Sequence, residues 1–153
     1  MNESCTLDRP AEILLVEDNS DDVLLAKHAF SKVELPHKLH VVQDGEEALS
    51  FLRQQGNYQT ARHPDLVLLD LNMPGTDGRE VLKQLKEDAN LRRIPVVILT
   101  TSNSSVDLVL TYSSHANAYL VKPLELDQLE KLVDGLMHFW FRLVTHPPKL
   151  GEQ

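Results

Sequence analysis

Cysteine is nearly absent from this chain. Cys5 is the only one among 153 residues, so no intramolecular disulfide can form, and a reducing, cytoplasmic compartment is expected. No segment approaches the roughly 20 consecutive apolar residues that span a bilayer. The first ten residues carry Glu3, Asp8 and a single cation, Arg9; they lack the basic start and apolar middle of a secretory leader. Basic residues are also in short supply: 15 Lys and Arg stand against 23 Asp and Glu, a net charge of −8. A protein that works by gripping phosphate backbones needs the opposite balance. Neither nucleic acid nor a membrane is therefore expected as a partner, whereas a protein or a bound cation is. Internal repeats and low-complexity stretches are missing too. What remains is an ordinary globular composition, 42% apolar and 25% charged. At this length one domain can bury roughly 70% of its unfolded surface.

Five short apolar runs alternate with five helical patterns. The runs predict strands over Ile13–Glu17, Lys38–Val42, Leu66–Asp70, Pro95–Thr100 and Ala118–Val121. Three are almost unbroken Val, Ile and Leu, the pattern of parallel strands covered on both faces. The second alternates more, as a strand nearer an edge does. Helices are predicted after Asn19-Ser20, from Glu46 to about Gln55, from Arg79 to Asp88, from Ser104-Ser105 through Tyr112, and from Glu125 onward past Leu136. Gly56 to Pro64 reads as a long irregular loop. Strand and helix alternating five times predict a doubly wound α/β sheet. Right-handed crossovers then bring every strand C-terminus to one rim.

Asp70 ends one buried strand at that rim, and Glu17-Asp18 end another. Open α/β folds build their sites at this place. Three carboxylates so close cannot all ionise unaided. A magnesium ion would help, since it favours carboxylate, carbonyl and water oxygens. Asp18 and Asp70 are the expected direct ligands, with Glu17 acting through water or from a second layer. The Asn72 carbonyl, turned back by Asn72-Met73-Pro74-Gly75, completes the set. Lys122, after the last strand, is either a surface lysine or a partner for a carboxylate or phosphoryl oxygen. Thr100 either donates its hydroxyl to the same group or caps the next helix with Thr101 and Ser102. Together these residues suit a phosphoryl site in which Asp70 is both a ligand and a nucleophile. Asp21 and Asp22 read as ordinary acidic residues of a helix start, where they suit the dipole.

The set Glu17-Asp18, Asp70 through Gly78, Thr100 and Lys122-Pro123 resembles the receiver domain of two-component response regulators, over about Ala11 to Phe139. The resemblance implies a flavodoxin-like (βα)5 fold with a five-stranded parallel sheet in the order 2-1-3-4-5. It implies that Asp70 takes a phosphoryl group from a histidine kinase. Asp18, Asp70 and the Asn72 carbonyl would hold Mg2+, or Mn2+ in its place, with Glu17 assisting. Lys122 and Thr100 would bind the phosphoryl group, Thr100 and Tyr119 would act as the switch pair, and the Lys122–Pro123 bond would be cis. Such a chain is no enzyme beyond its own phosphorylation and dephosphorylation. Similarity to small regulators paired with bacterial phytochromes, carried by Gly78-Arg79-Glu80-Val81-Leu82, the long loop and the aromatic last helix, implies a light-sensing kinase as partner.

The expected boundaries are a tail over 1–10, a receiver over 11–141 and an extension over 142–153 with no output domain. The signal would then leave through a protein contact or through dimerisation. Met137, Phe139, Trp140, Phe141 and Val144 are the expected dimer interface, since aromatic residues are enriched in interface cores. The competing reading of these residues is a helix end folded over its own core. Rival functions are a degenerate receiver serving as a scaffold, a haloacid dehalogenase type phosphatase and a flavodoxin-like binding protein. The phosphatase would need an acid where Asn72 stands. The intact Asp70 and Lys122 oppose the scaffold, and Glu17-Asp18-Asn19 would repel the phosphate that a flavodoxin-like protein must cradle.

Overall fold

The computed structural model describes residues 9–71, 73, 77–101, 108–109, 112–123 and 125–143. Its strands are β1 (Ala11–Val16), β2 (His37–Val42), β3 (Leu66–Leu69), β4 (Val96–Thr100) and β5 (Ala118–Val121). All pair in parallel, in the order β2-β1-β3-β4-β5. This is the doubly wound sheet that the alternating pattern predicts, with the less apolar β2 at an edge. Helices α1 (Ser20–Ser31), α2 (Gly45–Leu52), α3 (Gly78–Glu87) and the C-terminal helix (Leu126–His138) flank it. Alternate residues of each central strand face opposite layers. Leu14, Val16, Val67 and Leu69 pack with α2 and α3. Ile13, Leu15, Leu66 and Leu68 pack with α1 and the C-terminal helix.

Local chemistry sets the helix starts. Asn19, Asp44 and Asp77 are extended N-caps whose side chains accept backbone N–H groups of the first turn. The end of α2 falls at Leu52, three residues before the expected Gln55. Gln54 takes a left-handed conformation with φ 59°. The Gln55 and Gln54 amides turn back to the carbonyls of Ser50 and Phe51, at 2.9 and 3.1 Å. That pair of bonds is a Schellman ending, here built on Gln where Gly is usual. The following loop contains a 3-10 turn, Gly56–Tyr58. Tyr58 packs on Phe51, and its hydroxyl donates to Glu47 at 2.6 Å.

At the rim where the strands begin, Arg9 forks onto Asp65 at 2.9 and 3.0 Å. Asp65 also accepts the Glu12 amide at 2.7 Å. The Glu12 carboxylate and His40 Nε2 lie 2.7 Å apart.

Two expectations are corrected at the C-terminal end. Leu129, Val133, Met137 and Phe141, spaced by four, form one buried stripe against the sheet. A π-helical turn over Phe139–Leu143 carries the stripe on to Phe141. Met137 and Phe141 therefore belong to the chain's own core and not to a dimer interface. Trp140 packs partly against the same core, whereas Phe139 is 54% exposed. Val144 and the rest of the extension lie outside the described residues. So does most of the predicted fourth helix, of which Leu108, Val109 and Tyr112 are seen as helical. Among the described residues no helix is long and apolar enough to cross a membrane.

Candidate functional site

The strand ends assemble the predicted pocket. β1 runs into Glu17 and Asp18, and β3 into Asp70. The Asp70 amide donates to the Val16 carbonyl at 3.1 Å, which keeps the two strand ends in register as they leave the sheet. Ligand oxygens of Glu17, Asp18 and Asp70 all lie within 4.8 Å of one another. Glu17 and Asp70 are buried, and Asp18 is half-buried. On the far side of the pocket, the Lys122 amide donates to the Thr100 carbonyl at 2.7 Å, tying β5 to β4. Thr100 is fully buried.

Lys122 enters this pocket with its ammonium. Its Nζ lies 2.5 Å from Glu17 Oε1, 3.3 Å from Asp22 Oδ2 and 3.9 Å from Asp70 Oδ2. One cation thus serves several carboxylates. Burial pushes the Glu17 carboxyl up to about 7; the Lys122 hydrogen bond and charge pull it back, and the Asp70 charge adds to the rise. Burial would lower the Lys122 ammonium, but the Glu17 hydrogen bond and the charges of Glu17, Asp70 and Asp22 hold it above the ordinary lysine value. The pocket therefore holds more negative charge than its lysine can match. A hard divalent cation with a preference for oxygen fits that excess, and Mg2+ and Mn2+ both meet it. Asp18 and Asp70 can ligate it directly. Asn72, whose carbonyl is the third expected ligand, lies outside the described residues.

Helix α3 braces the loop after Asp70. The Gly78 amide donates to the Leu71 carbonyl at 3.2 Å, and Arg79 Nη1 reaches the same oxygen at 3.3 Å. Gly78 stands so close that a Cβ there would lie 2.0 Å from the Asp70 carbonyl oxygen. Tyr119, half-buried on β5, packs against the α2 and α3 layer, and its amide donates to the Tyr112 hydroxyl at 3.1 Å. The Lys122–Pro123 bond is trans, as no peptide among the described residues is cis. Trans is the state that X–Pro bonds favour by about 0.5–1 kcal/mol, and the expected cis form is corrected accordingly.

Asp22 is the site residue that sequence reasoning missed. Its place in a first helical turn has a sufficient explanation in the dipole. No sequence signal tied it to Lys122, which lies 100 residues away.

Known proteins bear on the geometry. The response regulator receiver domain family matches residues 13–134. The chain is 45% identical over 138 residues to the response regulator Rcp1 of Synechocystis, covering 90% of this chain and 94% of that protein. Its structure is similar to that of the phosphorylated cyanobacterial phytochrome response regulator RcpA, with a TM-score of 0.86 and 45% identity over 91% of this chain and 99% of the other. The Mn2+-bound form of Rcp1 superposes with a TM-score of 0.84, also at 45% identity, over 91% of this chain and all of the other. With the family model matching most of its length and these relatives covered almost end to end, the chain belongs to the response regulator receiver domain family.

Proposed function

We propose that Asp70 accepts a phosphoryl group from the phosphohistidine of a histidine kinase. The convergence of Glu17, Asp18 and Asp70 within 4.8 Å, with Lys122 reaching across, is the observation that carries this reading. An Asp70 oxygen attacks phosphorus in line. The phosphorus–nitrogen bond breaks, and the imidazole keeps the electron pair. When bound, a divalent cation neutralises phosphoryl oxygens and makes the anionic pocket tolerant of a further anion. Lys122 pairs with one phosphoryl oxygen, and the Thr100 hydroxyl, fully buried beside it, donates to another. The chain turns over nothing but its own aspartyl phosphate.

Added charge at Asp70 draws Thr100 and Lys122 inward. Tyr119, the half-buried aromatic of β5, moves into the space left by Thr100 and reshapes the outer face near it. Exposed beside it are Tyr112, whose hydroxyl accepts the Tyr119 amide, and Val121 of the same strand. Two packed arrangements thereby convert a local charge into a surface that a partner reads. Exposed Phe139 and Leu143 support self-association as one route of output. Likeness to Rcp1 and RcpA supports a phytochrome as the kinase and a cytoplasmic setting.

Phosphotransfer with Mg2+ and a small phosphodonor, comparing wild type with Asp70→Asn, tests the assignment. Wild type labels and the variant does not; equal labelling refutes it. Light-dependent transfer from a purified phytochrome kinase tests the partner.

A further inference from the structure

Two other carboxylates stand closer to the Lys122 ammonium than Asp70 does. Glu17 lies at 2.5 Å, Asp22 at 3.3 Å and Asp70 at 3.9 Å. If Lys122 is to serve a phosphoryl group on Asp70, it must leave part of this company. The two nearer partners differ in what that departure entails. The Glu17 side chain is 3% exposed, so losing its lysine leaves a buried charge unmatched unless a cation takes over. The Asp22 side chain is 33% exposed, so water replaces the lysine readily. Asp22 also sits where its own placement does not depend on Lys122. Its amide donates to the Asn19 cap at 3.0 Å, which fixes the first turn of α1 whatever the side chain does.

We propose that Asp22 is a positioning residue for phosphoryl transfer. It holds the Lys122 ammonium on the α1 side of the pocket, off Asp70, until a phosphoryl oxygen draws it across. The inference rests on Asp70 being the phosphoacceptor. A divalent cation bound by the carboxylates relieves Glu17, and Asp22 then remains the tether at the mouth of the pocket. The exposed partner makes the hold reversible, and the buried one keeps the lysine from wandering into solvent. Asp22 thereby sets how readily the lysine becomes available.

The test uses a matched pair of full-length variants. Asp22→Asn and Asp21→Asn remove the same charge from adjacent positions of one helical turn. Asp21 is exposed, and among the described residues it forms no ion pair with Lys122. With saturating Mg2+ and acetyl phosphate, Asp22→Asn labels about two- to fivefold faster than Asp21→Asn, the range expected from a partly exposed ion pair. In the metal-free protein, the NMR resonance of the Lys122 ammonium moves in Asp22→Asn and stays in place in Asp21→Asn. Equal or slower labelling of Asp22→Asn, or an unmoved Lys122 resonance, overturns the inference. Absence of labelling in every variant and in wild type refutes the phosphoacceptor reading instead, and the metal-free resonance still decides whether Asp22 holds the lysine.

Discussion

Replacing Gly78 by Ala strikes the contact between α3 and the strand that carries Asp70. An added Cβ would lie 2.0 Å from the Asp70 carbonyl oxygen, 2.7 Å from the Leu71 Cα and 2.8 Å from the Asp70 carbonyl carbon. Ordinary carbon–oxygen contacts need more than 3 Å, so α3 and the strand end must separate by about 1 Å along that line. Every obstructing atom is backbone, so no rotamer change relieves the clash. Overpacking in a core costs about 1–3 kcal/mol, and backbone obstruction places this site at the upper end. The better helix propensity of Ala returns about 0.5–1 kcal/mol. A net loss of about 2 kcal/mol follows, or roughly 4–8 °C in Tm for a chain of this size. The moved backbone belongs to Asp70 itself, so Mg2+ affinity should fall along with stability. Gly135→Ala is the control. It lies in the C-terminal helix, where the added Cβ meets nothing within 4 Å beyond its chain neighbours and the helix's own backbone, and should gain about 0.5–1 kcal/mol. Denaturant unfolding and calorimetric Mg2+ titration read both variants. Equal stabilities for the two alanine variants would refute the close-approach argument.

Glu17 titrates near 7 in the folded chain against 4.5 when unfolded. The folded state therefore binds the extra proton in that window, and stability falls as pH rises from 4.5 to 7, by at most about 3 kcal/mol. Urea unfolding at pH 5 and 7.5 should show a loss that Glu17→Gln reduces and that Mg2+ offsets. Lys86 has the opposite slope. Burial pushes it down to about 8, so the unfolded chain holds its proton longer and stability rises between pH 8 and 10.5; Lys86→Met should flatten that rise in the same assay. Tyr58→Phe keeps the packing on Phe51 and loses the 2.6 Å bond to Glu47, for a cost of about 1 kcal/mol in denaturant unfolding. With the hydroxyl intact, the Glu47 hydrogen bond pushes Tyr58 up to about 12, and absorbance titration of wild type against Tyr58→Phe should show one phenol ionising there.

Burial on both faces made β1, β3 and β4 legible, because such strands have few polar positions to blur the pattern. The site was legible for a related reason: a carboxylate closing a run such as Leu66–Leu69 has no packing role there. The first helix start was marked by Asn19, whose side chain does the capping itself. The end of α2 was obscured because Gln54 adopts a backbone conformation that its side chain does not announce. At the C-terminus, Phe139, Trp140 and Phe141 are alike in composition yet differ in exposure. A spacing of four from Leu129 selects Phe141 for the core, and the π-helical turn extends that spacing beyond the regular helix. Asp22 was hidden by a sufficient local explanation, since nothing near it in sequence signals a lysine 100 residues away.

The two ends of the sheet treat charge in opposite ways. Near the strand starts, Arg9 forks onto Asp65, Asp65 takes the amide of Glu12, and the Glu12 carboxylate meets the His40 ring. Where they end, Glu17, Asp22 and Asp70 all lie within 3.9 Å of the Lys122 ammonium, and Asp18 adds a further carboxylate to the cluster. One rim is an anchored foot and the other a loaded head. A charge arriving at Asp70 therefore loads one end of β3, while the Arg9–Asp65 pair holds the residue just before its other end.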